Sequence, residues 1–216
     1  VIKLAQRNWK FNKKIYTTGF IISLIGSIIF LLLVALSHYY AIKGGFDWRL
    51  EELSELVLYG NAGKILFIIA AVLEGICLIF PLILVTTSFK GKIRKIIYSI
   101  LAVLTAVFLI LVGAVPEDQF LVAHYIVAVT FYFLAAALIL ATSIYIIKNH
   151  NEISLFFPIF GIMTFVIFIF HIITRWFFGR AYTQRIAILL SLIYLLILSG
   201  RFLLKTSPNL YENNLQ

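Results

Sequence analysis

This 216-residue chain holds one cysteine, four prolines and only nine acidic residues, and each shortage excludes something. With Cys77 alone, no intramolecular disulfide can form and no cysteine metal site exists. Charged residues make up 12% of the chain, about half the share usual in a soluble domain. Apolar and polar residues nowhere alternate with period two, which argues against an outer-membrane barrel. No HExxH, GxSxG, phosphate-loop or dinucleotide motif occurs, so no common nucleophile, zinc or nucleotide machinery is announced.

What is present is apolar length. Apolar residues are 62% of the chain, against about 45–50% in soluble domains. The mean hydropathy is +1.05. The apolar residues fall into six runs, at about 15–42, 64–89, 96–115, 119–147, 155–178 and 183–204. Each approaches or exceeds the ~20 residues a helix needs to cross a bilayer. The expected fold is an all-α membrane protein, a six-transmembrane-helix bundle with both termini cytoplasmic. It forms one domain over 15–205, with a basic lead-in at 1–14 and a polar tail at 206–216. The first run is long and lacks a small-residue cleavage site, so it reads as a span and not a cleavable signal.

The net charge of +9 does not point to nucleic acid. Lys3, Arg7, Lys10, Lys13 and Lys14 precede helix 1, and Lys90, Lys92, Arg94 and Lys95 follow helix 2, both sets without an acid. Basic residues at span ends carry the topology signal and face the cytoplasm. Arg175, Arg180 and Arg185 break this rule by falling on the outer side. The acids Glu51, Glu52, Glu55, Glu117 and Asp118 share that side and offer partners. Ile, Lys and Asn usage suggests an AT-rich prokaryotic genome, so the expected location is a prokaryotic cell membrane.

The stretch VGAVPEDQFLVAHYIV, residues 112–127, ends one span and starts the next. Pro116 should stop helix 3. Glu117 and Asp118 are expected at the start of helix 4, at the positive end of its dipole, with His124 about two turns further in. One reading is a proton-transfer or lipid-head site at the outer face, with His124 as acid/base and Glu117 or Asp118 as its orienter. The other is a histidine bonded to the turn itself. His38, His124 and His171 lie near outer helix ends, but no spacing sets two of them on one face as zinc ligands. Paired histidines for haem fare no better, and neither a metal nor a cofactor is expected.

Residues 43–62 hold Asp47, Glu51, Glu52 and Glu55 among Trp48, Leu50, Leu53, Leu56 and Val57. A short helix lying on the membrane is expected there. This loop is expected to cover His124 and to pair with at least one of Arg175, Arg180 and Arg185, enclosing a polar pocket. His171 and Arg175 lie one turn apart on helix 5. Three arginines suit either a phosphate clamp or pairing with the acidic loop. Glu74 falls in mid-span, where a carboxylate costs about 2.5–3.5 kcal/mol on insertion scales. It reads as a functional group, or as a protonated acid joining helices through Thr105, Thr130 or Ser143. Pro81, seven residues on, is expected to kink that helix on the same side.

Three segments carry a resemblance. LSELVLYGNAGKILFIIAAVLEGI, VGAVPEDQFLVAHYIVAVTFYF and TQRIAILLSLIYLLIL resemble elements of the domain-of-unknown-function 998 membrane family. The likeness covers most of residues 15–205. It implies roles for Ser54, Asn61, Gly113, Pro116, Glu117, His124 and Arg185. Gln184 stands where the family carries an acid before the arginine, so the ion pair expected there is absent. The family is more distantly similar to six-helix proteins of the damage-regulated autophagy modulator type. The resemblance implies a six-helix fold in a membrane and no established reaction.

The expected function is binding of membrane lipids, or of a membrane-protein partner, through an outer polar pocket. Ser54, Glu55, Asn61, Glu74, His171, Arg175, Arg180 and Arg185 are its candidate binding residues. A head-group enzyme centred on His124, Glu117 and Asp118 is the alternative. A small transporter using Glu74 is a second.

Overall fold

In a computed structural model the chain forms six long helices. Residues 2–87, 89–149, 154–174 and 180–205 are described, and of residues 2–13, 87, 180 and 201–205 only the backbone. The helices are α1 (Ile2–Lys43), α2 (Asn61–Thr87), α3 (Lys92–Ala114), α4 (Leu121–Asn149), α5 (Phe156–Thr174) and α6 (Arg180–Lys205). No strand occurs among the described residues. Each helix contains an apolar stretch long enough to cross a membrane. The shortest, the 19-residue α5, is about 28 Å long at 1.5 Å per residue, close to the hydrocarbon thickness. The six-span expectation therefore holds. The basic lead-in is helical and continuous with α1, because nothing between residues 1 and 14 is a glycine or proline that would stop it.

Each helix packs on the next, and α6 returns to pack on α1, closing a ring. Lipid gives no hydrophobic push between helices, so close backbone approach must hold them. Small residues supply it. A Cβ added at Gly26 of α1 would meet the Cys77 Cβ of α2 at 2.5 Å, and one at Gly113 of α3 would meet the Ile68 carbonyl at 3.0 Å. On α4, Ala135 and Ala136 are buried at the interface, while Ala137 faces outward.

The start of α1 and the end of α6 lie at one end of the bundle. Near that end, Phe89 is stacked on Tyr145, and Tyr145 accepts the Lys90 N–H at 2.6 Å. Tyr98 donates to the Ala141 carbonyl at 2.9 Å, tying α3 to α4. The α1–α2 and α3–α4 connections lie at the opposite end. Gly45 and Gly60, with φ of 100° and 114°, let the chain turn out of α1 and into α2.

The first connection differs from expectation. Residues Leu53–Leu58 form a 3-10 helix that is buried, not a helix lying on the membrane. Leu53, Leu56 and Val57 turn inward, and a capping box between Glu52 and Glu55 satisfies the backbone at its start. Only Trp48, Leu50 and Leu58 of its large apolar side chains stay exposed. The α3–α4 turn also differs in detail. Helix α3 stops at Ala114, as Pro116 requires, but α4 starts only at Leu121. Glu117 and Asp118 therefore sit in the turn itself, ahead of the helix. Helix α2 continues through Pro81, which has no N–H to give the Cys77 carbonyl.

The ring fixes which loops share an end and leaves sidedness to the basic residues. In a Cys77→Ser background, Leu50→Cys and Ile93→Cys should react with an impermeant thiol reagent from opposite sides. The cysteine at 93 should react only after the membrane is opened. Reaction of both from one side would contradict the six-span order.

Candidate functional site

The α3–α4 turn closes on itself. His124 is 0% exposed, and its Nδ1 lies 2.7 Å from the Val115 carbonyl. A carbonyl only accepts, so Nδ1 carries hydrogen and donates. Nε2 then faces the buried Glu117 carboxylate at 3.9 Å, too far for a hydrogen bond. The other acid of the turn, Asp118, points outward to Lys64 at the start of α2, 2.5 Å away. His124 thus pins the end of α3 to the first turn of α4, while the surface pair ties the turn to α2.

The first loop is pinned by Gln184 of α6. The Gln184 Oε1 accepts the Leu53 N–H at 2.6 Å, and its Nε2 donates to the Tyr132 hydroxyl of α4 at 2.8 Å. The same nitrogen lies 3.4 Å from Glu52 Oε2. One amide therefore joins the loop, α4 and α6. His171 of α5 stands beside it, its ring edge-on to Tyr132 and its Nδ1 3.0 Å from the Thr183 hydroxyl. The loop's own acids hold its shape: Glu51 accepts from the Asp47 N–H at 2.7 Å and from the Tyr59 hydroxyl, and Glu55 accepts the Glu52 N–H at 2.6 Å.

Arg185 lies one residue on and faces α1. Its Nη2 donates to the Glu51 carbonyl at 3.0 Å and lies 3.4 Å from His38 Nε2. His38 Nδ1 lies 2.9 Å from the Val34 carbonyl. Both bonds together set the histidine: Nδ1 donates, Nε2 accepts from the arginine, and the ring is neutral. The carboxylates of Glu52 and Glu55 also act on the guanidinium electrostatically. Its Nη1 is buried and has no hydrogen-bond partner.

Arg185 and His38 stand at the polar end of a groove between α1 and α6, of about 540 Å³. Leu31, Val34 and Ile42 line its α1 wall, Ile188 and Leu189 its α6 wall, and Trp48 reaches over from the loop. The volume falls in the ordinary range for ligand sites, roughly 300–1,000 Å³. Deeper in the bundle, a chamber of about 60 Å³ holds Glu74. Glu74 Oε1 accepts from Ser27 of α1 at 3.2 Å, and its Oε2 is buried without a partner. Thr105 and Ser191 put hydroxyls on the chamber wall.

Residues 5–201 match the family described as "Protein of unknown function (DUF998)". The chain belongs to the DUF998 family. No curated protein and no solved structure matches it. In this DUF998 protein, the motif positions divide between several places. Pro116, Glu117 and His124 form the closed turn, and Gly113 lets α3 approach α2 beside it. Ser54 is buried in the 3-10 helix, Asn61 opens α2 at the surface, and Arg185 faces the groove.

Several sequence expectations need correction. The 3-10 helix packs on α1, α2 and α6. The His124 ring bonds the Val115 carbonyl of its own turn, and His124 does not line the groove at Arg185. Glu74 bonds Ser27 and none of the partners named for it. Thr105 and Thr130 bond carbonyls of their own helices, and Ser143 bonds Tyr194. His38, His124 and His171 enter three separate networks, and no cluster of three metal-ligating side chains occurs among the described residues. Arg175 and the side chain of Arg180 lie outside the described residues. Of the three arginines, Arg185 does reach the first loop, through the Glu51 carbonyl.

Sequence reasoning passed over the residue that holds this end together. Gln184 registered only as a missing acid. Its signal was position: Ala181, Gln184, Ala187, Tyr194 and Leu198 fall on one buried stripe of α6 at helical spacing. The amide has both a donor and an acceptor to satisfy. A glutamate there would face Glu52 with no N–H to offer. Gln184→Glu and Gln184→Leu should each lose about 1–3 kcal/mol, the cost of leaving buried partners unsatisfied. The check is detergent unfolding followed at two protein temperatures. Stability equal to the parent in both variants would remove the amide from its central role.

Proposed function

We propose that this DUF998 protein binds an anionic lipid in the groove between α1 and α6. The observation that carries the reading is the half-buried Arg185 at the polar end of an otherwise apolar groove, its Nη1 buried and unpartnered. A buried cationic N–H without an acceptor is costly, and a lipid phosphate supplies the acceptor. His38 is neutral in this arrangement and adds no competing charge. The groove runs along apolar spans, which suits a lipid chain lying beside the head group. The setting in this reading is a prokaryotic cell membrane with the basic loops in the cytoplasm, supported by the clustering of Lys and Arg.

The enzyme reading around His124 has less support. Its ring is enclosed, so no substrate reaches it in this arrangement. A Glu74 transporter lacks a second mid-membrane charge along the described spans.

The test is lipid retention. The protein is purified in mild detergent, and bound lipids are weighed by native mass spectrometry. The parent should hold an anionic phospholipid. Arg185→Ala should weaken it roughly tenfold to a hundredfold, in line with about 1.5–3 kcal/mol for a charge-assisted bond. Arg185→Lys should keep part of the affinity as a point charge. Unchanged retention in Arg185→Ala would overturn the proposal.

A further inference from the structure

The groove and the Glu74 chamber share two walls. Phe30 of α1 and Ile188 of α6 line both spaces. The two side chains are thus common to the walls of both spaces. Ser191, on the chamber side, lies six residues beyond Arg185, or about 9 Å deeper at 1.5 Å per residue. The chamber is therefore within reach of a chain whose head group sits at Arg185.

The chamber wall is apolar except at a few atoms. Among the residues that line it, Glu74 stands out: it is 1% exposed, and its Oε2 has no hydrogen-bond partner. The close passage of α1 at Gly26 brings the helix within 3.2 Å of that oxygen, measured to a Cβ built there, so α1 offers it no room for a larger partner. The Thr105 and Ser191 hydroxyls already donate to carbonyls of their own helices. A plain hydrocarbon chain entering here would seal the oxygen away unsatisfied. A chain bearing a hydroxyl would meet it.

We infer that the groove and chamber together form one site for an anionic lipid whose acyl chain carries a hydroxyl group in its middle, with Arg185 at the head and Glu74 at the hydroxyl. The inference rests on the lipid-binding reading and adds the chain chemistry to it. Glu74 is a specificity residue in this scheme, not an ion carrier. Its carboxyl bonds the chain hydroxyl, and Phe30 and Ile188 move aside as the chain turns inward.

Two phosphatidylglycerols decide it, one with plain stearoyl chains and one with a mid-chain-hydroxylated stearoyl chain. Each competes for the delipidated parent protein, for Glu74→Leu, for Glu74→Gln and for Arg185→Ala. The parent should favour the hydroxylated lipid roughly tenfold, the size of one satisfied buried bond. Glu74→Leu should bind both equally, and Glu74→Gln, which still bonds a hydroxyl and preserves the shape, should keep the preference. Arg185→Ala should weaken both lipids alike. Equal binding of both lipids to the parent, with Arg185 still required, would overturn the chain assignment and leave the head-group site standing. If neither lipid binds the parent, both readings are overturned.

Discussion

Inside a bilayer, a polar group finds its partner within the protein or goes without, and that constraint orders this structure. It is plainest at Gln184. One side-chain amide accepts from the backbone of the first loop and donates to a tyrosine of α4. Remove it and Leu53 loses its acceptor, the 3-10 helix loses its anchor to α6, and Tyr132 loses a donor. The buried Glu52, Ser54 and Glu55 then rest on packing against α1 and α2 and on the capping box. Arg185 depends on the same anchoring, since its bond is to a carbonyl of that loop. The groove's polar end is in this sense built by a neutral residue next to it.

The acids of this protein serve mostly as structural acceptors. Glu51 and Glu55 close the first loop on its own backbone, and Asp118 ties the α3–α4 turn to α2. The His124–Glu117 pair belongs to the same class: a ring holding a turn shut, its second nitrogen turned toward a carboxylate. An ionisable triad in sequence becomes a latch in three dimensions. Arg185 Nη1 and Glu74 Oε2 are buried without a partner, on residues that line the groove and the chamber.

The spans were legible because apolar length is a local property, written in consecutive residues. Pro116 ended α3 where its ring chemistry requires. The close packing at Gly26 and along Ala135 and Ala136 follows from the small size of these residues. What could not be read was any geometry that depends on a distant partner. Leu53 and Gln184 are 131 residues apart, and only their meeting turns a surface-helix pattern into a buried 3-10 helix. Glu74 found Ser27 and not the hydroxyls of α3 or α4, because ring order was not written in any one span. His124 was read with the first loop because both were placed at the same end; its bond runs to Val115, nine residues back.

The contact between α1 and α6 closes the ring, and the groove lies on that seam. Helices inserted in chain order meet their neighbours as they emerge, but α1 must wait for four further spans before α6 arrives. Until then the face of α1 bearing Phe30, Val34 and His38 is open to lipid, and the first loop has no Gln184 to bind. The seam is therefore the last joint of the bundle to form during synthesis. A lipid already resting on α1 would be present when α6 docks, so the groove can be assembled around its occupant and need not admit it afterwards.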